Sequence, residues 1–350
     1  MRLTARVVAA RWRAPLRAAH EGGAPVSTRP LVLVTLTDAD GIVGHGEAAP
    51  LPSYDGVSVA DVLAALSAVA AEGGSATLPQ AAAALDLARW DLRGRRAGRP
   101  VWELLGATAA PAVPVNLAVG LDERPPRGAT ALKLKVGDGD DLARVRAVRA
   151  AAGSAVALRL DANGAFAVPE AITFLRAVAE VGIECCEEPV HGAAALAEVA
   201  RAVPEVPVAA DESARELLAR DGPPVCAAVC LKVSACGGIT GLLRDAARAR
   251  ALGYGVYLAS TLDGPLGIAA ALHAAAVVGP DRFCGLATLD RFTARDPIGR
   301  DGPVMTAPSG PGLGDGLLGF YDEFGGDEIR ALEVDGVAGA LGDNDTRLTE

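Results

Sequence analysis

The stretch ALKLKVG, residues 131–137, sets the reading of this chain. It is a short apolar run carrying two lysines, Lys133 and Lys135, two positions apart, so on an extended strand both face the same side. Four similar runs follow. Residues 156–160 end in Asp161-Ala162-Asn163, 183–186 in Glu187-Glu188-Pro189, 206–210 in Asp211-Glu212-Ser213, and 227–231 in Lys232. The steps from Lys135 to Asp161, Glu187, Asp211 and Lys232 are 26, 26, 24 and 21 residues, about one strand, one helix and two short loops each. Charges at the ends of successive parallel strands open onto one face of a barrel. Three acids between lysines at one mouth point to a metal site with a base on either side.

Working outward, strands are expected at 113–119, 131–136, 157–161, 183–187, 206–210, 228–232, 255–260 and 282–286. Helices such as 141–152, 169–181 and 239–252 lie between them. Parallel strands of this kind need helices over their outer face, which predicts an α/β barrel. The first hundred residues break the pattern. Residues 31–37 and 42–46 alternate around an Asp/Gly turn and read as an antiparallel hairpin. Helical spacing follows at 57–71 and 78–94, with Ser58 and Pro79 near the starts. The expected organisation is an α+β unit over residues 1–110, a barrel over 111–314, and a tail from about 315 to 350 that packs back on the first unit.

Bulk properties exclude several classes of function. The 350 residues are 51% apolar and 4% aromatic, with a formal charge of −10. That charge offers nothing to nucleic acid or to an anionic membrane. No run reaches the roughly 18 apolar residues of a membrane span, and residues 1–17 alternate like a strand, not like a signal peptide. The six cysteines lack zinc-site spacing and sit in apolar runs, as reduced structural thiols of a cytoplasmic protein do. The four histidines (His20, His45, His191, His273) share no spacing.

Asp161, Glu187 and Asp211 offer three hard oxygen donors from three strand ends, a set that suits Mg²⁺. Any one alone would equally suit a helix cap; it is the register of all three that favours a metal. Spacing does not choose between Glu187 and Glu188, because adjacent strand residues point to opposite sides. Two lysines crowded beside a divalent cation depress each other's pKa, which makes a base near neutral pH. Lys232 would approach from the far side of the same mouth. Asn163, two residues past Asp161, shares its face and could orient a ligand or a lysine. Residues 44–55 form a loop that could close over the barrel or serve as a plain connection.

These words resemble the enolase superfamily, in particular its muconate-lactonizing subgroup: ALKLKVG at 131–137, LDANGA at 160–165, EEP at 187–189, ADES at 210–213 and LKVSACGG at 231–238. Residues 85–106 are similar to the family's capping-domain helix. The resemblance implies a modified TIM barrel, (β/α)7β-like, under an N-terminal α+β capping domain. It implies Asp161, Glu187 and Asp211 as ligands of Mg²⁺, with Mn²⁺ as a substitute. Lys135 becomes the base, Lys133 its assistant and Lys232 the residue on the opposite face. The implied reaction removes a proton α to a carboxylate to give a metal-stabilised enolate, a mechanism known for this superfamily. Asn163, Ser260, Asp263 and Tyr54 are the implied contacts to a small carboxylate substrate, in a homo-oligomeric enzyme. Within the subgroup, STLDGPLG at 260–267 and CGLATL at 284–289 are most similar to o-succinylbenzoate synthases, whereas GHGEAAPLPSYD at 44–55 is more similar to dipeptide epimerases and cycloisomerases. Dehydration to o-succinylbenzoate is therefore the leading expectation. Dipeptide epimerase or N-acylamino acid racemase, muconate cycloisomerase and a non-catalytic scaffold are the alternatives.

Overall fold

The computed structural model describes residues 1–16, 25–120, 125–126 and 128–325. The alternating N-terminal segments form an antiparallel sheet of β1 (Arg2–Leu16), β2 (Val26–Thr37) and β3 (Val43–Ala48), in that order. Asp38 fixes the turn into β3 by accepting the N–H groups of Asp40 and Ile42, each at 2.9 Å. Then come α1 (Pro52–Asp55), α2 (Val59–Glu72) and α3 (Pro79–Ala97). Ser58 and Asp61 form a reciprocal capping box at the start of α2, satisfying donors that the first turn leaves open. Val32, Val34 and Leu36 of the sheet bury against Val62, Leu66 and Leu85 of the helices. Gly44 and Gly46 let β3 lie directly on α3: a Cβ on Gly46 would stand 2.0 Å from the Ala84 carbonyl oxygen.

After α4 (Val101–Leu104) and β4 (Ala112–Pro114) the period changes. Strands β5 (Leu117–Val119), β6 (Ala131–Lys135), β7 (Ala157–Asp161), β8 (Ile183–Glu187), β9 (Val208–Ala210), β10 (Ala228–Lys232) and β11 (Gly255–Ala259) pair in parallel with their neighbours in sequence order. The helices between them are α5 (Asp141–Ala152), α6 (Val168–Val178), α7 (Ala193–Ala202), α8 (Ala214–Ala219), α9 (Val233–Cys236) and α10 (Ile239–Ala251). Then follow α11 (Pro265–Val278), β12 (Val304–Thr306) and α12 (Gly319–Asp322).

Two expected strands are altered. Residues 113–119 are split at 115–116: β4 pairs antiparallel with β12, Val115 N donates to the Pro303 carbonyl, and Asn116 N turns to the Cys284 carbonyl. Residues 282–286 contribute only isolated parallel bridges, Val115 to Cys284 and Ala259 to Gly285. Those bridges close the sheet between β11 and the segment before β5, so the barrel is of the (β/α)7β kind under an N-terminal α+β cap. The described end of the chain returns to the first sheet, where the Tyr321 hydroxyl donates to Glu47 and Arg6 pairs with Asp322. Residues 326–350, the rest of the expected tail, and His20 lie outside the described residues. Among the described residues no helix is long and apolar enough to cross a membrane.

Two predictions follow from how the cap is seated. Gly46→Ala must displace backbone, so its stability loss, read from urea midpoints, should reach or exceed the upper end of the roughly 1–3 kcal/mol typical of overpacking. Gly319→Ala, whose Cβ meets nothing within 4 Å, should be close to neutral; equal effects would refute the packing account. The second concerns Glu47, buried where it accepts from Gly264 N at 2.8 Å. Burial, reinforced by nearby Asp263, pushes its carboxyl up from 4.5 to about 8. The folded chain therefore holds a proton that the unfolded chain releases between those values. The contribution is full below the unfolded value of 4.5 and is lost as pH rises to about 8. Glu47→Gln should flatten that decline in stability, and parallel wild-type and variant curves would contradict it.

Candidate active site

Parallel register sets the first charged residues side by side, with Asp211 two residues beyond Ala209, the residue opposite Glu187. Lys135 lies opposite Asp161, and Asp161 opposite Glu187. Lys133 Nζ bridges Asp161 Oδ2 and Glu187 Oε1, 2.8 Å from each. Lys135 Nζ reaches the same Asp161 oxygen at 2.6 Å and also donates to Asn163 Oδ1. On the other side, Lys232 Nζ donates to Asp211 Oδ2 at 2.6 Å. All three carboxylates are buried. Glu187 and Asp211 oxygens lie within 4.8 Å of each other and of Cys230 Sγ.

The donor set fits a hard divalent cation. It comprises three buried carboxylates at the ends of adjacent strands, Glu187 and Asp211 close together and Asp161 joined to Glu187 through Lys133, and the Cys230 sulfur beside Glu187 and Asp211 is held as a thiol. Burial, followed by Asp211 and Glu187, pushes the Cys230 pKa far up, and a protonated thiol is not a metal ligand. Burial alone would raise Asp161, but Lys133 and Lys135 outweigh it and hold its carboxyl well below the usual range. Glu187 goes the other way, raised by burial beyond what Lys133 recovers. Burial acts to lower Lys133, yet Asp161 and Glu187 raise it overall; the same balance, with Asp211 foremost, raises Lys232. The lysine depression expected from the sequence needs a cation's charge beside these ammonium groups, and the carboxylates alone act in the opposite direction.

The two flanking lysines differ in access. The Lys135 side chain is 45% exposed, that of Lys232 only 8%. Tyr54, on α1 of the cap, explains the difference: its ring lies over Lys232 Nζ at 3.8 Å and its hydroxyl donates to Asp211 Oδ1 at 2.8 Å. The loop at 44–55 therefore does reach the mouth. Asn163, held at φ +43°, a conformation Asn tolerates, links Lys135 to Glu212 by donating to Glu212 Oε1 at 2.8 Å. Ser260 pairs with Thr288 through their hydroxyls at 3.0 Å. Asp263 is not brought to the carboxylate group. It is buried, and its oxygens accept from Thr261 N at 3.1 Å and Thr261 Oγ1 at 2.7 Å.

Sequence reasoning missed two residues. Glu188 points away from Glu187 and clamps the next strand end, accepting from Asp211 N at 2.8 Å, Ser213 N at 3.2 Å and Ser213 Oγ. Its φ of +39° is a strain of order 1–3 kcal/mol that those bonds offset. Tyr257, in the middle of β11, donates to Glu187 Oε2 at 2.9 Å. A tyrosine inside an apolar strand needs a partner for its hydroxyl, and that was the signal available.

The family model described as Enolase C-terminal domain-like matches residues 121–317, and that of the mandelate racemase/muconate lactonizing enzyme N-terminal domain matches residues 2–106. The chain is 32% identical over 334 residues to an L-Ala-D/L-Glu epimerase of Bacillus subtilis, covering 83% of this chain and 90% of that protein. It is 41% identical over 173 residues to an o-succinylbenzoate synthase of Mycobacterium bovis, covering 46% of this chain and 50% of that one. Among solved structures, a dipeptide epimerase from Enterococcus faecalis complexed with Mg and the dipeptide L-Leu-L-Tyr aligns at a TM-score of 0.78 and 25% identity, over 89% of this chain and 98% of that one.

The Glu188 clamp is testable. Glu188→Ala orphans the buried N–H groups of Asp211 and Ser213, each worth about 1–3 kcal/mol when unpaired. Chemical denaturation should therefore show a loss of at least about 2 kcal/mol, and a loss below about 0.5 kcal/mol would contradict the role.

Proposed function

The chain belongs to the mandelate racemase/muconate lactonizing enzyme family of the enolase superfamily, and from that premise we propose that it removes the proton α to a carboxylate and then expels a β-hydroxyl as water, giving an o-succinylbenzoate-type product. In this reading Asp161, Glu187 and Asp211 hold Mg²⁺, with Mn²⁺ as a substitute. When bound there, the cation supplies positive charge against the carboxylate oxygens as negative charge develops. Residues 1–110 act as the cap and 111–314 as the barrel of a cytoplasmic homo-oligomer.

The observation that carries the choice is the unequal access of the two lysines. Lys135, in its neutral form, takes the α-proton and the C–H electron pair becomes the enolate. The enolate then forms the double bond as the β-hydroxyl leaves, and Lys135 returns the same proton to it as water. One open base suffices on one face. Asp161 and Asn163 hold the Lys135 ammonium between the two transfers. Lys232, covered by Tyr54, contributes positive charge from the opposite face. The paired hydroxyls of Ser260 and Thr288 carry no negative charge of the kind that a substrate ammonium would need, which leaves Asp290 as the acid of that segment.

A second reading, dipeptide epimerisation, is favoured by the Bacillus subtilis relative, which matches over most of the chain. It requires both lysines to reach the α-carbon, and hence Tyr54 to move off Lys232. Assaying the cyclohexadiene carboxylate precursor of o-succinylbenzoate beside Ala-Glu-type dipeptides separates the two. We expect dehydration with weak or no epimerisation, loss of turnover in Lys135→Ala, and severe impairment in Lys232→Ala. Efficient epimerisation without dehydration, with α-deuterium entering each dipeptide epimer through a different lysine, would establish the second reading instead.

A further inference from the structure

Tyr257 lies in β11, three strands round the sheet from β8, yet its hydroxyl crosses the barrel interior to Glu187. The phenol is fully buried, as is Arg159 beneath it, whose guanidinium stacks on the ring at 4.6 Å. Arg159 is itself anchored: its Nε donates to Glu184 at 2.8 Å and its Nη1 to the Phe283 carbonyl at 2.6 Å. Glu184 in turn accepts from Arg282 at 2.9 Å. The ring therefore has a fixed floor, and a phenol facing a carboxylate can only be the donor.

The two oxygens of Glu187 are thereby given different tasks. Oε2 is held by Tyr257, whereas Oε1 faces Lys133, which also binds Asp161. Through Lys133, Oε1 shares an ammonium group with Asp161 Oδ2. Mg²⁺ demands near-octahedral geometry and takes carboxylates through single oxygens, whereas Ca²⁺ accepts bidentate ones. Partners that orient ligating carboxylates typically change metal affinity about 10–100-fold when removed.

We infer that Tyr257 is a positioning residue that holds Glu187 to one-oxygen coordination and so gives the site its preference for Mg²⁺ over Ca²⁺. The inference rests on the reading of Glu187 as a cation ligand. Arg159 acts behind it by fixing the ring.

The test is calorimetric and needs no substrate. Mg²⁺ and Ca²⁺ are titrated separately into the wild-type chain, Tyr257→Phe and Asp161→Asn, each first freed of metal with a chelator. Tyr257→Phe removes one oxygen and leaves the packing of the ring on Arg159. Its Mg²⁺ affinity should fall about 10–100-fold, with a clearly smaller loss for Ca²⁺. Unchanged Mg²⁺ affinity, or equal losses for both ions, would overturn the assignment while wild-type binding that is abolished in Asp161→Asn leaves the metal site standing. If the wild-type chain binds no Mg²⁺, or Asp161→Asn binds it equally well, the metal site itself fails and the inference falls with it. Should Tyr257→Phe not fold, 3-fluorotyrosine at position 257 gives the same answer in a near-isosteric chain. Its fluorine resonance should shift as Mg²⁺ saturates the site, and a resonance indifferent to saturating Mg²⁺ would refute the contact's role.

Discussion

Three carboxylates buried at one mouth of an apolar barrel are the constraint on which the rest of this structure depends. Burying an ionised carboxylate costs several kcal/mol even after relaxation, so Asp161, Glu187 and Asp211 cannot stand there unanswered. Lys133 and Lys135 answer Asp161, Lys133 also answers Glu187, and Lys232 answers Asp211. These ammonium groups satisfy the acids in the chain alone and are also the groups that the proposed chemistry needs. A single arrangement thus serves stability and reactivity, because a site that concentrates negative charge attracts both a metal cation and the ammonium groups whose protons that cation's charge would loosen.

Keeping the acids at one mouth makes demands well away from them. Parallel register sets Lys135, Asp161 and Glu187 side by side. Glu188 then ties the end of β8 to the turn that carries Asp211, and accepts a strained backbone to do so. Asn163 sits in a left-handed turn that lets its amide face Lys135 and Glu212 at once. The cap closes one side through Tyr54, and buried Arg29 holds that closure in place. Its guanidinium donates to the carbonyls of Ala49 at 2.8 Å and Thr261 at 2.9 Å, joining the segment before α1 to the loop after β11.

The parts of this design that follow local rules were legible in the sequence. A period-two lysine pair, apolar runs ending in acids and their nearly even spacing gave β6 to β10 and the charged mouth, because parallel strands with covering helices leave no other pattern. Ser58 announced α2 by the same kind of local chemistry. What depends on distant contacts was not legible. Glu187 and Glu188 are neighbours of identical type, and only the position of Ser213 separates their roles. Tyr257 reads as core within GVYLA, and its partner lies 70 residues away. Asp263 reads as a mouth residue, and its bonds to Thr261 could not be read from the sequence alone. The last barrel position pairs on both sides, but through single bridges at Cys284 and Gly285 and not a full ladder.

The claim at the centre of this account is that the three acids converge on one cation. The most direct measurement is a crystal structure grown with Mg²⁺. The account predicts a single ion with one oxygen each from Asp161, Glu187 and Asp211 at roughly 2.1 Å, and with Lys133 withdrawn from Glu187 Oε1. Lysine pairs unchanged in saturating Mg²⁺, or an ion bound at some other group of side chains, would contradict it.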